Sequence, residues 1–354
     1  MQARLLRARS ALGIKAGRHD LKELPRILVT GVGGGVGQSI IKSLSYTDWP
    51  IIAADGNDLA VGLYASEHAY RVPYARDSRY IEVLHEICRK ERINYVFPGL
   101  DAELPVLARA VDTFRDIGVT LVVSRPEVVD LCDDKLGTSQ FLSKNKLPFL
   151  RTIPAVDAQN WDGHYPVVLK PRIGGCRSVG VHVAKNATDV DRILGEADPA
   201  LFVLQEYVEG DEYTCGTVNF EGLCEGIIVM RRILRFGDTY QAFVVHDDRI
   251  EAVVRSAAER LKPFGPCNFQ LRLRDGCPYI FEINARCSGT TAARSLAGFN
   301  EPKMTVEYLY CGRQPSFEVR EISILRYWTE LVVQNEEVKA MCEAGFRSGL
   351  RRKL

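Results

Sequence analysis

The sequence predicts a chain of class α/β and α+β, with a doubly wound parallel-sheet domain first and a mixed α+β unit after it. Three observations carry this. From Arg26, short apolar runs alternate with helical stretches; a glycine turn follows the first run; after Asp130 the alternation gives way to strand-rich sequence.

In order, RILVTG is a strand, Gly37 to Leu44 a helix, PIIAADG a strand, Tyr80 to Lys90 a helix, NYVFPGL a strand, Pro105 to Asp116 a helix and VTLVVS a strand. Alternation over about 100 residues makes a parallel half-domain. A helix is expected from Leu131 to Lys144, ending before Pro148. YPVVLKP and SVGVHVAKN flank a glycine-rich loop, an acid-capped helix covers Thr188 to Leu194, and LFVLQEYV, TCGTVNF and CEGIIVMRRILRF read as strands. The helix EAVVRSAAERL then precedes CNFQLRLRDGCPYIFEINAR, two strands joined through Asp275 and Gly276. Ser316 to Leu354 reads as an edge strand plus a helix packed on the body. Residues 1–24, with Arg4, Arg7, Arg9, Lys15 and Arg18, read as a flexible arm outside the fold.

At 354 residues the chain has room for two or three modules. Lysine plus arginine, 46, nearly balances aspartate plus glutamate, 45, so no global field draws the chain to nucleic acid or to an anionic membrane. Small molecules become the default partners. No apolar run reaches the roughly 18 residues of a membrane span, and Met1 to Pro25 lacks the apolar block of a secretory signal. The ten cysteines form no CxxC pair and read as small thiols of a reducing compartment, so a cytoplasmic protein is expected.

The stretch ILVTGVGGGVGQSI, with Gly31, Gly35 and Gly37, has the spacing of a short-chain dehydrogenase loop. Strand, glycine turn and helix N-terminus make an anion-friendly site; the same glycines also simply allow tight packing. Asp55 stands where a ribose-binding acid would stand. Chemistry removes the dehydrogenase, since none of the 14 tyrosines has a lysine four residues on. The chain has no GK dipeptide, hence no P-loop, and neither HRD nor DFG.

Phosphate-handling residues nevertheless occur. Lys170 closes the strand VVLK beside PRIGGCRSVG, where Gly174, Gly175 and Gly180 could let a loop cover a triphosphate; an ordinary hairpin with a solvated lysine is the alternative. Glu206, Glu209, Asp211 and Glu212 follow within QEYVEGDEYT. In IFEINAR, Glu282 and Asn284 stand two apart on one strand and share a face, where a carboxylate and an amide oxygen suit a hard cation. For Gln270 to lie opposite Glu282 the connection needs an odd residue, so a three-residue or bulged turn is expected. His246, in VVHDDR, is either a base or a solvated loop histidine.

Taken together, DDKLGTSQFL, VVLKPRIGGCRSVGV, QEYVEGDEYT and NFQLRLRDGCPYIFEINARCSGTTAARSLAGFNEP occur in the order of a known family. From about Arg26 to Pro315 the chain resembles the ATP-grasp ligases, in particular short proteins similar to half of a carbamoyl phosphate synthetase large subunit.

That resemblance implies a pre-ATP-grasp Rossmann-like domain over 25–130 and an ATP-grasp domain of two α+β subdomains over 131–315. The glycine-loop lid subdomain would span about 147–205, and 316–354 would be a C-terminal extension. It implies that Lys135 and Lys170 contact ATP phosphates while Gly174, Gly175 and Gly180 fold over them. Glu206, Tyr207 and Val208 would bind adenine and Glu212 ribose. Gln270, Glu282 and Asn284 would hold Mg²⁺, with Mn²⁺ as a substitute. Arg286 and Arg294 would steady the transferred phosphoryl group, surface arginines being the alternative. Gly31, Gly33, Gly35 and Gly37 would line the substrate side without NAD. The implied reaction makes an acyl phosphate from a small carboxylate and captures it with an amine or ammonia. Carbamoyl phosphate-type activation of bicarbonate or carbamate and a non-catalytic nucleotide-binding module are the alternatives, and a homodimer is one assembly the resemblance allows.

Overall fold

Strand β1 (Ile27–Thr30) is buried at all four residues because it lies inside a parallel sheet covered on both faces. Its side chains alternate: Ile27 and Val29 enter one core, Leu28 the other. β1 pairs in parallel with β2 (Ile51–Asp55), β2 with β3 (His68–Arg71), β1 also with β4 (Tyr95–Phe97), and β4 with β5 (Thr120–Leu121). This is a computed structural model describing residues 23–175 and 178–354, so nearly all of the expected N-terminal arm lies outside the described residues. The parallel-sheet expectation holds from β3 to β5. HAYR, not anticipated as a strand, supplies β3, and VTLVVS contributes only its Thr120–Leu121 segment.

Two expected helices are each divided. Pro105 to Asp116 becomes Leu104–Arg109 and Val111–Arg115, broken at Ala110. Leu131 to Lys144 becomes Pro126–Asp133 and Lys135–Lys144, because Asp134 leaves helical geometry to cap the second helix, accepting from the Leu136 N–H at 2.9 Å. The break places Lys135 at a helix start. The helix Ala187–Leu194 is capped not by an acid but by Asn186, which accepts from the Asp189 N–H.

A four-stranded sheet follows, built from β6 (Thr152–Pro154), β7 (Val167–Pro171), β8 (His182–Ala184) and β9 (Phe202–Glu206) in the order β6-β9-β7-β8. The largest antiparallel sheet comprises β10 (Glu212–Phe220), β11 (Leu223–Arg235), β12 (Asp238–Val245), β13 (Gly265–Arg274), β14 (Cys277–Asn284) and β15 (Ser323–Leu325), ordered β14-β13-β10-β11-β12-β15. Gln270 does pair with Glu282, but the odd residue is not in the turn. Asp275 and Gly276 form a two-residue connection with φ of 53° and 76°, and the register shifts further along, at Phe281. Asp-Gly readily takes such paired positive φ values, so the bulge moves into the ladder.

The tail is an edge strand plus a helix, as expected, with one addition. After β15 and the helix Asn335–Ala344, β16 (Phe346–Ser348) adds antiparallel to β3 and makes the first sheet mixed. Arg347 fixes it: 6% exposed, it donates to Ser66 O at 2.8 Å and pairs with Glu337 at 3.0 Å. Arg347→Met is expected to cost about 1–3 kcal/mol through the acceptors it leaves unmatched. Urea unfolding checks this, and an unchanged midpoint would show that β16 does not depend on the arginine.

Among the described residues no helix is long and apolar enough to cross a membrane. Cys88, Cys132, Cys215, Cys224, Cys267 and Cys287 are buried free thiols, whereas Cys311 and Cys342 are exposed.

Candidate active site

A cleft of about 280 Å³ opens between the four-stranded sheet and one face of the β10–β15 sheet. Lys170, near the end of β7, is only 7% exposed, and its ammonium donates to Gln205 Oε1 at 2.8 Å and Phe281 O at 3.2 Å. Burial lowers its pKa to about 8, against the Glu282 carboxylate, which raises it. Lys135 reaches the same cleft from its helix start and donates to the carbonyls of Asp133 and Gly174. Gly174 and Gly175 turn the chain at φ of 66° and 82°, values that a side chain would strain. The turn is moored where Asp133 accepts from the Gly174 N–H at 2.9 Å and Asp134 pairs with Arg172 at 2.7 Å. Gly180 closes the loop at φ 73°; Cys176 and Arg177 between them lie outside the described residues.

Glu206, Tyr207 and Val208 line the opposite end of the cleft. The Val208 carbonyl accepts from Arg272 at 3.0 Å, and Arg274 pairs with Glu206. Glu212 is held between two arginines, by Arg232 through Oε1 and by Arg272 at 2.9 Å through Oε2. Arg232 also donates to Gln270 Oε1 at 2.6 Å. These arginines and Gln205 were not foreseen; the signals were the alternation in LRLR and the MRR of β11, whose partners lie on other strands.

Gln270, Glu282 and Asn284 share the floor, with Asn284 Nδ2 donating to Glu282 Oε1 at 3.0 Å. Among the described residues no group of three or more His, Cys, Asp or Glu could hold a metal, so Glu282 is the single carboxylate of this set. One carboxylate with amide oxygens fits Mg²⁺, which binds through one or two carboxylates and completes its shell with phosphates and water.

Neither candidate arginine is a surface residue. Arg286 grips Asp101 of the first domain through both carboxylate oxygens, at 2.8 and 2.9 Å, and touches Asn284 Oδ1 at 3.2 Å, so it stands at the metal-type residues. Asp101 was not foreseen, since it follows the loop PGL without any pattern around it. Arg294 does not reach the cleft: it and Glu301 are 0% exposed and paired at 2.6 Å, and its Nη2 donates to Thr214 and Asn268. Contact with a transferred phosphoryl group is therefore corrected to a core role, and Gly216 supplies the room, since a Cβ there would collide with both side chains.

The first glycine loop is closed rather than open. Asp55 accepts from the N–H groups of Gly33 at 2.7 Å and Asn57 at 2.9 Å, which uses up the carboxylate that a ribose would need. Leu100 lies across Gly31 and Gly34, where a pyrophosphate would approach. Gly37 packs against Gly31, and Gly35 faces Gly289, whose carbonyl accepts from Ser39 Oγ at 2.8 Å. His246 is solvated beside Asp248 and Glu251 and lies outside the cleft.

A lysine pair, a glycine turn and an oxygen-donor floor between two antiparallel sheets define a nucleotide-triphosphate-handling class of protein. Residues 27–122 match the model of the PylC-like N-terminal domain, and residues 198–330 match that of an ATP-grasp in the biosynthetic pathway with the Ter operon. Over residues 198–330 the chain therefore carries ATP-grasp sequence. It is 29% identical over 137 residues to D-alanine–D-alanine ligase A of Bacillus cereus, a match that covers 34% of this chain and 44% of that ligase. The chain thus spans less than half the length of that relative. The fold is shared with an L-amino acid ligase from Bacillus licheniformis, at TM-score 0.66 and 17% identity over 85% of this chain and 79% of that one. It is shared also with purK, an N5-carboxyaminoimidazole ribonucleotide synthetase solved as its ADP complex, at TM-score 0.69 and 16% identity over 91% and 85% of the two chains.

Proposed function

We propose that the protein is a cytoplasmic ATP-dependent carboxylate–amine or carboxylate–ammonia ligase that forms an amide through an acyl phosphate and releases ADP and phosphate. The observation that carries this is that Lys135, Lys170 and Glu282 line one cleft beside a glycine turn, with Asn284 bonded to Glu282 and Arg286 bonded to Asn284. The B. cereus relative, named a ligase that joins two D-alanines, supports the same chemistry.

In this reading residues 25–130 form the substrate-side domain, with Gly31 to Gly37 at its edge, and 131–315 the nucleotide-binding domain, with a lid at about 147–205. Tyr207 and Val208 flank the adenine, and Glu206 and Glu212 help to fix the base and ribose end. Lys170 and Lys135 hold the phosphates, and the Gly174–Gly180 loop excludes water so that the acyl phosphate meets the amine first. Mg²⁺ bound by Glu282 and Asn284, with Gln270 beside them, would neutralise phosphate charge. Arg286 steadies the oxygens of the phosphoryl group as it moves to the substrate carboxylate. With ADP released from the phosphoryl group, the amine attacks the acyl carbon of the acyl phosphate, phosphate departs and the ammonium loses its proton.

A hydroxamate assay tests this: Mg-ATP, hydroxylamine and a panel of amino acids, uronic acids and small dicarboxylates, with hydroxamate and ADP followed together. Acid-dependent formation of both is expected. Absence of nucleotide binding by the purified protein would sink the ligase reading.

The low Lys170 pKa gives a pH prediction. Phosphate prefers the ammonium, which in the free protein is lost as pH rises through about 8. Nucleotide affinity should therefore fall as pH climbs from 7 to 9 in steps of roughly one unit, and Lys170→Arg should flatten the profile because its guanidinium stays charged. A wild-type profile as flat as the variant's contradicts the assignment.

A further inference from the structure

A second crevice, of about 480 Å³, lies at the C-terminal ends of β1, β2 and β3, away from the phosphate cleft. Its volume is within the roughly 300–1,000 Å³ of small-molecule sites, and the ends of parallel strands are where open α/β sheets bind ligands. The walls are mostly apolar: Val72, Tyr74, Leu100 and Val106, with Tyr74 lying flat on Gly56, where a Cβ would strike its ring.

The polar groups in the wall are unequal. Asp55 spends both oxygens on backbone N–H groups. Glu103 is 4% exposed, and its Oε2 accepts from Thr30 Oγ1 at 2.7 Å and from the N–H groups of Gly99 and Leu100. Burial raises the Glu103 carboxyl above its ordinary range, which favours its neutral form. Arg76, in contrast, has no hydrogen bond or ion pair among the described residues, because the adjacent Asp77 is taken by Arg79 at 2.8 Å. The crevice thus offers an apolar body, two satisfied acids and one unspent cation at its rim.

We propose that this crevice binds a small organic acid with an apolar body, its carboxylate paired with Arg76 and its body against Tyr74, Leu100 and Val106. Consecutive residues tie it to the phosphate cleft: Leu100 lines the crevice, while Asp101 grips Arg286 and lines a recess with Lys135 and Asn284. The two sites are thus joined through one peptide link, between Leu100 at the crevice and Asp101 at Arg286. Use of the acid as a substrate rests on the ligase reading; its binding does not.

Calorimetric titration of the full chain with hydrocinnamate, indoleacetate and isovalerate, and with their neutral amides, tests the site. At least one acid should bind saturably, and its amide should bind about tenfold or more weakly. Arg76→Ala should cause a similar loss, and Ala102→Trp, from an exposed position on the wall, should fill the space and block the acid. No saturable binding by any acid, or binding that survives both variants, overturns the proposal. Mg-ATP titrated in parallel separates the two readings: acid binding with no nucleotide binding upholds the site and removes the ligase, and the reverse removes the site alone. An acid that shifts nucleotide affinity in the wild type but not in Ala102→Trp acts from this crevice, whereas an acid whose binding and ADP release are the same in Ala102→Trp and Arg76→Ala as in the wild type binds elsewhere and overturns the proposal.

Discussion

Glu282→Gln is expected to fold normally and to lose ADP and hydroxamate formation by about 100-fold or more, the scale on which removing one aimed electrostatic group slows a reaction. The physical reason is local. Glu282 is the one carboxylate on the floor, sits opposite Gln270, and is the negative charge facing Lys170. The amide keeps the size and the hydrogen bond with Asn284 but removes the charge a hard cation needs. Circular dichroism should match the wild type, so that lost turnover reports on chemistry. Activity within a few-fold of wild type would remove Glu282 from the mechanism.

Glu301→Ala should act on stability instead. It leaves the Arg294 guanidinium charged, with no ion-pair partner and no solvent, and breaking one partner of a buried pair typically costs about 3–5 kcal/mol. The pair is already strained for partners: Arg294 Nε and Glu301 Oε2 find none among the described residues. Gly216→Ala should be comparably harmful, since its new methyl would meet both side chains. Joint replacement, Arg294→Met with Glu301→Leu, should recover much of the loss, because no lone charge remains. Equal instability of the joint and single variants would show that packing, not charge, dominates.

These two cases mark what was legible in the sequence. The strand period put Glu282 and Asn284 on one face, and a lysine ending an apolar strand beside three glycines pointed to Lys170 and its loop; Lys170, Gly174, Gly175 and Glu282 line one cleft, and Asn284 is bonded to Glu282. Each is a local signal. Arg294 misled because SGTTAAR carries no mark of burial; the space that swallows it is made by Gly216, on a strand far earlier in the chain. Asp101, Arg232 and Arg272 take their meaning from partners on other strands or in another sheet, which periodicity cannot supply. The helix expected from Leu131 to Lys144 runs straight through Asp134, whose role as a cap depends on a backbone turn that the helical pattern does not show.

The pairing of β16 with β3 has a consequence for how the chain is made. Both antiparallel sheets are synthesised between these two strands, so as the polypeptide leaves the ribosome the first sheet is assembled with its β3 edge bare. Unpaired edges recruit other strands. A nascent chain that stalls after β15 therefore presents a nearly finished domain with an open seam, whose closure waits for Arg347 to emerge.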